Sequence, residues 1–267
     1  MADNDNPART FFGTELRRMR EAGGLTGKEL ADALGCTPQW ISTMEAGRKI
    51  SEQSALDLDT FFRTDGHFHR LWKLAGDIEL TSALPPGFPE YAQREKKAST
   101  VRIFCGLLIN GLFQTNGYAT AIMGAIEGPR TADLVSKRME RQAIISGDNP
   151  PRVWLVIDEF VLRRVIGSPA IMHEQFGVLL EASHRPNTMV QIVPTSAGYH
   201  TGLEGSFTIL GFDDEPDIAY TESAGEGQLI ERAARVKDKV VRWDLLRGHA
   251  LSVDETRVVI KAAMEGP

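Results

Sequence analysis

Residues 26–47 constrain the fold more than any other stretch of the 267-residue chain. Thr26 and Glu29 have the spacing of a capping box, in which each side chain accepts a hydrogen bond from the other residue's backbone amide. Gly35 suits the end of the helix that follows, because glycine readily adopts the left-handed conformation found at helix ends. These residues predict a short helix that ends in a tight turn.

A second short helix is predicted directly after this turn. Thr37 is a typical N-cap, and Pro38 takes the first helical position, where its missing amide costs no hydrogen bond. Two helices of this length are not stable alone and need neighbours to pack against. Residues 14–21 and 51–62 supply apolar side chains at helical spacing, so we expect a bundle of short helices.

This pattern resembles the lambda-repressor-like (XRE family) helix-turn-helix domain. The resemblance rests on LRRMREAGGLT, ELADALGCT and ISTMEAGRK, and on the apolar helix that follows them. It implies an all-α N-terminal domain over residues 9–80 and the function of a sequence-specific DNA-binding transcriptional regulator. A proline-rich linker over residues 81–90 then leads to a second domain over residues 91–267.

The resemblance also implies which residues contact DNA. The second helix would lie in the major groove, and its base-reading residues would be Gln39, Thr43, Pro38 and Trp40. The amide of Gln39 can pair with an adenine edge, and Thr43 can contact a thymine methyl group. Contacts to phosphates are implied for Arg17, Arg20, Thr26, Arg48 and Lys49.

Relatives with this domain carry an ion pair between its first helix and its reading helix. Arg20 and Glu45 match that pair, whose role would be to fix the geometry of the domain more than to stabilise it.

The net charge gives no general support for DNA binding. The chain carries a formal charge of −6, and residues 1–80 hold ten basic and thirteen acidic side chains. Arginines cluster on the first helix and beside the reading helix, and such a patch can bind phosphate within a Debye length. The alternative is an ordinary solvated surface, so the DNA-binding hypothesis depends on the motif and not on charge.

Beyond the linker, short apolar runs alternate with amphipathic segments. Residues 153–158 and 187–193 are strand-like, and residues 228–247 have the apolar spacing of the longest helix. This order predicts an α+β domain with a small, mostly antiparallel sheet covered by helices.

A second resemblance covers residues 88–264. The segments GLFQTNGYA, RMERQAII and NTMVQIVPTSAGYHTGLEGSFTILGF look like the C-terminal domain of actinobacterial antitoxin-like regulators. That resemblance implies a small partner protein encoded nearby. We expect the regulator to act as a homodimer, with the second domain pairing the subunits.

No catalytic, metal or cofactor motif is recognisable, so we expect neither an enzyme nor a bound cofactor. Cys36 and Cys105 are widely separated and are best interpreted as buried apolar residues. His67 and His69 have no evident third ligand for a metal. Tyr199 and His200 lie in a glycine-rich loop, which is either a partner or ligand contact or a wide hairpin loop.

Two other functions stay open. One is a small-molecule-sensing repressor, with an apolar pocket lined by Trp154, Phe160 or Tyr199. The other is a protein-interaction module or an enzyme with a vestigial helix-turn-helix, since Gly27 and Pro38 depart from the polar residues usual in the family. No apolar run approaches the ~20 residues of a membrane span, and the polar N-terminus is unlike a signal peptide. We therefore expect a cytoplasmic protein.

Overall fold

A computed structural model of the chain describes residues 6–48, 50–125 and 131–265. The chain divides into two compact units, Met1–Ala83 and Leu84–Pro267. Each unit has its own hydrophobic core and is described by itself.

The N-terminal unit is all-helical, in agreement with the sequence analysis. Its helices are α1 (Pro7–Ala22), α2 (Gly27–Leu34), α3 (Pro38–Glu45), α4 (Glu52–Phe62) and α5 (His67–Ser82). Their apolar faces meet in one core, which includes Phe12, Leu16, Leu30, Ile41, Met44, Leu58 and Phe68. Because α2 and α3 are only eight residues long, this shared core provides the stability that they lack alone.

The turn between α2 and α3 has the predicted local structure. The Thr26 amide donates to Glu29 Oε2 (2.7 Å), and the Glu29 amide donates to Thr26 Oγ1 (3.2 Å). Gly35 ends α2 with a φ of +65°. The amide of Trp40 donates to Thr37 Oγ1 (3.2 Å), so α3 begins with the predicted cap.

The C-terminal unit contains helices and a sheet. Its helices are α6 (Phe88–Glu95), α7 (Asn116–Met123), α8 (Thr131–Arg141), α9 (Glu159–Arg163), α10 (Pro169–Ala182), α11 (Ala233–Arg247) and α12 (Val253–Glu265). Its strands are β1 (Thr100–Cys105), β2 (Arg152–Asp158), β3 (Thr188–Val193), β4 (Phe207–Gly211), β5 (Ile218–Ser223) and β6 (Glu226–Ile230).

The prediction of a small, mostly antiparallel sheet was wrong. The sheet has six strands in the order β3-β2-β1-β4-β5-β6. Strand β2 pairs parallel with both β1 and β3, whereas β1–β4, β4–β5 and β5–β6 are antiparallel. The connections from β1 to β2 and from β2 to β3 each contain two helices. Crossovers of this length allow parallel pairing, which a short hairpin cannot provide.

Helices cover the sheet on both faces. Val101, Ile103 and Cys105 of β1 join the core beneath α6, α7, α9, α10 and α12. Phe104 points the other way, into a second core that includes Trp243 of α11. This alternation follows the two-residue period of a strand, and it makes β1 a buried strand in a three-layer unit.

The prediction of one long helix over residues 228–247 was wrong about where the helix begins. Residues Glu226–Ile230 form β6, and the helix α11 begins only at Ala233. A turn at Ala224 and Gly225, both with positive φ, folds β6 back onto β5. Pairing with a neighbouring strand therefore overrides the helical spacing of the apolar residues.

Cys105 is buried in the C-terminal core, and Cys36 packs against the N-terminal core, so each acts as an apolar side chain. Among the described residues, no helix has both the length and the apolar character needed to cross a bilayer.

The packing of Gly202 leads to a stability prediction. A Cβ atom at this position would overlap the ring of Phe104, which is buried in the core beneath α11. We expect Gly202→Ala to destabilise the C-terminal unit by about 1–3 kcal/mol, the usual cost of overpacking. Hydrogen exchange of β1 and β4 peptides in urea would measure this loss.

The matched control is Gly177→Ala in the middle of α10. A Cβ there would meet no atom within 4 Å, so alanine should raise stability by about 0.5–1 kcal/mol through its higher helix propensity. Equal effects of the two substitutions would contradict the packing argument.

Candidate functional site

The exposed surface of α3 is the candidate DNA-reading surface. Gln39 is exposed, and its side chain makes no hydrogen bond to any part of the chain that the structure describes. Thr43 is half-buried, and its hydroxyl donates to the Gln39 carbonyl (2.8 Å). Gln39 is therefore the polar side chain of α3 that is most available to a base edge.

The other two predicted base-reading residues have different environments. Pro38 is exposed at the start of α3, where it offers an apolar surface and no donor. Trp40 is half-buried against the core, and its Nε1–H donates to Ser54 Oγ (3.0 Å). This bond ties α3 to α4, so Trp40 helps to hold α3 in place.

Arg20 and Glu45 form an ion pair that fixes the end of α3 against α1. Arg20 Nε lies 2.5 Å from Glu45 Oε1, and Arg20 Nη2 lies 3.1 Å from Glu45 Oε2. Arg20 Nη1 also donates to the carbonyl of Leu25 (2.9 Å). Both side chains are mostly buried, so this pair holds α3 in a defined position.

The electrostatics of Glu45 reflect this pairing. Burial acts to raise the pKa of the Glu45 carboxyl, but hydrogen bonds from Arg20 and Arg17 outweigh it, and the pKa is lowered. The hydrogen bond to Glu45 in turn raises the pKa of Arg20. Both residues thus carry their charges at neutral pH.

The predicted phosphate contacts are not equally available. Arg48 is exposed just beyond α3, and Arg9 Nη1 donates to its carbonyl (2.9 Å). Arg17 is exposed and donates one bond to Glu45 (3.2 Å), whereas the guanidinium of Arg20 is occupied by its ion pair. The hydroxyl of Thr26 takes part in the capping box. Lys49 lies outside the described residues.

Some acidic groups of this unit serve its interior. Asp59 is buried and accepts hydrogen bonds from the amides of Phe68 (2.8 Å) and His69 (2.9 Å), so it caps α5. These hydrogen bonds and one from Thr64 overcome the effect of burial and lower the pKa of Asp59. The negative charges of Asp59 and Glu45 are therefore held inside the domain, away from the exposed side of α3.

In the C-terminal unit, the loop with Tyr199 and His200 places the two side chains differently. Tyr199 is 72% exposed, whereas His200 is 4% exposed. His200 Nε2 lies 3.2 Å from Asp158 Oδ2, and Asp158 Oδ1 caps α9 by accepting from the Phe160 amide (2.8 Å). Tyr199 is thus the side chain of this pair that a partner can reach.

A cavity of about 620 Å³ opens beside the sheet, at one end of its central strands. It lies at the carboxyl ends of β1 and β5 and the start of β4, and α8 and α11 contribute side chains to its wall. The sequence analysis expected a pocket lined by Trp154, Phe160 or Tyr199. That expectation was wrong, because none of the three lines this cavity. Its walls come mainly from β1, β4, β5, the segment after β1 and the residues just before β4.

Comparison with protein families agrees with this division. A model described as a helix-turn-helix domain matches residues 12–72. A model described as a domain of unknown function, DUF5753, matches residues 88–262. The chain belongs to the DUF5753 family. No curated protein and no solved structure matches it.

The sequence analysis of this DUF5753 protein missed candidate DNA contacts in the N-terminal unit. Lys28 is exposed at the start of α2, and Ser42 is exposed on α3. Ser42 follows Gln39 by three residues, and this spacing places both on one helix face. That spacing could have identified Ser42 from the sequence.

The basic residues of the cavity were also missed. Arg138 and Arg141 lie on α8 at positions that share a side with the buried Leu134. Charged residues on the apolar side of an amphipathic helix are unusual, so their spacing could have marked a functional site. Lys239 and Arg242 come from α11, and only the folded structure brings the two helices to one cavity.

The histidines considered as metal ligands pair with separate carboxylates. His67 lies near Glu15 (3.7 Å), and His69 lies near Glu52 (3.1 Å). Within the residues that the structure describes, no group of three or more potential ligands surrounds a metal-sized site.

The Arg20–Glu45 pair predicts how the N-terminal unit responds to acid. Because the folded-state pKa of Glu45 lies below its ordinary value of 4.5, the pair's stabilisation is complete above that value. It is lost as the pH falls through the lowered folded pKa. Glu45→Gln should therefore cost about 1.5–3 kcal/mol at pH 7 and less at pH 3.

Urea unfolding of α1 and α3, followed by hydrogen exchange at several pH values, would measure this dependence. Asp32→Asn is the control, because Asp32 is exposed on α2 and forms no ion pair with any described residue. Parallel loss of stability in Glu45→Gln and the unsubstituted protein between pH 6 and 3 would contradict the prediction.

Proposed function

We propose that this protein is a sequence-specific DNA-binding transcriptional regulator that reads the major groove with α3. The observation that carries the proposal is the exposed amide of Gln39, which bonds no described residue, on a helix held by a capped turn, by Trp40 and by the Arg20–Glu45 pair. A rigid helix with a free amide suits bidentate recognition of adenine. The match to a helix-turn-helix domain supports the same function.

The protein would bind as a homodimer. A single α3 offers few base-reading groups, since Pro38 has no donor and Trp40 is turned toward the core. Two copies with reading helices about 34 Å apart would contact both halves of a pseudo-palindrome. The C-terminal unit would then pair the subunits.

A small partner protein would modulate this regulator, in the manner of an antitoxin-like regulator. The supporting observation is that Tyr199 projects from a loop anchored by the buried His200 and Asp158. A rigidly anchored loop with an exposed aromatic side chain suits protein recognition. The partner would act by changing the half-site spacing or by covering α3.

A specific observation favours a second candidate function. The cavity beside β1 is of the size that small ligands occupy, so the C-terminal unit could sense a small molecule. The third possibility, an interaction module or enzyme with a vestigial helix-turn-helix, would require that α3 not bind DNA.

Substitutions on α3 should separate base reading from phosphate binding. We expect Gln39→Ala to weaken binding to the operator by about 1–3 kcal/mol and to relax specificity. Arg48→Ala should weaken binding to all sequences alike, because phosphate contacts carry no sequence information. Gel shifts on the DNA upstream of the protein's own coding region, with an unrelated duplex beside it, would measure both.

The matched control is Gln53→Ala, which removes an exposed glutamine of α4 that bonds Asp57. Binding should fall steeply as salt rises, and adding the protein encoded next door would test partner modulation. If Gln39→Ala leaves the DNA region protected by the protein unchanged, α3 has been wrongly assigned as the base-reading helix. If no DNA is shifted even at low salt, the result would favour the hypothesis that the helix-turn-helix is vestigial.

A further inference from the structure

The cavity of the C-terminal unit lies where the arrangement of the sheet changes. Strand β1 pairs parallel with β2 on one side and antiparallel with β4 on the other. The cavity opens at the carboxyl end of β1, around Phe104 and Cys105. In sheets with crossover helices, ligands bind outside the carboxyl ends of strands at such a change of topology.

The charges around the cavity are unbalanced. Four basic side chains and two carboxylates line it: Arg138, Arg141, Lys239, Arg242, Glu204 and Glu222. Glu204 is bound by Arg242 (2.5 Å), and Glu222 accepts from the Tyr220 hydroxyl (3.2 Å). A protein with a net charge of −6 thus concentrates positive charge in one cavity.

Arg141 already has a counter-ion. Its Nε lies 3.2 Å from Oε2 of Glu95, which is fully buried, although the two atoms lack hydrogen-bond geometry. Its guanidinium carbon also lies 4.9 Å from the centroid of the Phe88 ring. The charge of Arg141 is therefore neutralised within the protein.

Arg138 forms no ion pair with any described residue, although the carboxylate of Glu222 in the same cavity interacts with its charge and acts to raise its pKa. Its one hydrogen bond runs from Nη1 to Gln114 Oε1 (2.6 Å), and the Gln114 amide is fixed by the carbonyl of Ile109 (2.6 Å). Burial and the neighbouring Arg141 lower the pKa of Arg138 to about 10, so it stays charged at neutral pH. A guanidinium has five N–H donors, and most of those of the half-buried Arg138 form no hydrogen bond with a described residue, so they are available to an anion in the cavity.

One part of the remaining wall is aromatic and apolar, and another part carries polar side chains such as Gln114, Thr208 and Thr221. Tyr91 and Tyr220 stack with ring centroids 4.5 Å apart, and Phe88 packs beside them. Leu107 is 70% exposed and lies with Leu108 in the segment that leads away from β1. Such a wall suits an apolar body attached to the anionic group.

We propose that this cavity binds a small organic anion, with its carboxylate, phosphate or sulfonate on Arg138 and its apolar body against the aromatic wall. The planar guanidinium suits each of these groups because it can donate two parallel hydrogen bonds to their oxygens. The site belongs to the C-terminal unit and does not depend on DNA binding by α3.

Two fluorescent probes that differ in one charge can test the site. 8-Anilinonaphthalene-1-sulfonate has an aromatic body and a sulfonate, and N-phenyl-1-naphthylamine has the same rings without the charge. We expect the full-length protein to bind the sulfonate saturably, with one site per chain. Arg138→Gln should weaken that binding about ten-fold or more and change the affinity for the neutral probe less than about three-fold.

The control is Arg152→Gln, which removes an exposed arginine of β2 outside the cavity and should leave both affinities unchanged. Should Arg138→Gln fail to fold, Arg138→Lys keeps the charge but loses the planar fork, and it should weaken sulfonate binding about three-fold or more. The proposal would be overturned if the unsubstituted protein did not bind the sulfonate, or if a folded variant at Arg138 bound it as tightly as the unsubstituted protein. No DNA is present in this assay, so its outcome is independent of the gel shifts.

Discussion

Strand β1 is buried on both faces and pairs with β2 and β4 in opposite senses. Burial on both faces requires helices on both sides. The long connections around β2 supply helices for one face, and α11, which follows β6, covers the other. The same strand ends at the cavity, so the constraint that organises the core also positions the candidate ligand site. The backbone at that end has no further strand partner, which leaves room for side chains from α8 and α11.

The N-terminal unit depends on a different interaction. Helix α3, the candidate reading helix, is short and gains little from its own hydrogen bonds, so its orientation must be set by neighbours. The Arg20–Glu45 pair joins it to α1, and the Trp40–Ser54 bond joins it to α4. Gln39 can be exposed to solvent and still have a defined position because the opposite side of α3 is fixed by these two contacts.

Local structure in this protein was accessible from sequence because it depends on residues close together in the chain. The capping box at Thr26 and Glu29, the turn at Gly35 and the cap at Thr37 each involve atoms only a few residues apart. The helical content of the N-terminal unit followed from the same rules. The sheet was predicted less well, since the parallel pairing of β1 with β2 joins segments separated by some fifty residues. The start of α11 was missed for the same reason, because pairing with β5 decides that β6 is a strand.

The sequence by itself determined the caps and the short helices of the N-terminal unit, because short-range hydrogen bonds and apolar spacing encode them, whereas the candidate base-reading residues came from the resemblance to the helix-turn-helix family. Tertiary structure decided which of those residues remain available: Trp40 is committed to Ser54, Arg20 to Glu45 and His200 to Asp158. It also decided that α8 and α11 place their basic side chains around one cavity and that Arg138 forms no ion pair with any described residue. Whether a charge is neutralised depends on distances across the fold, and the order of residues in the chain does not specify those distances.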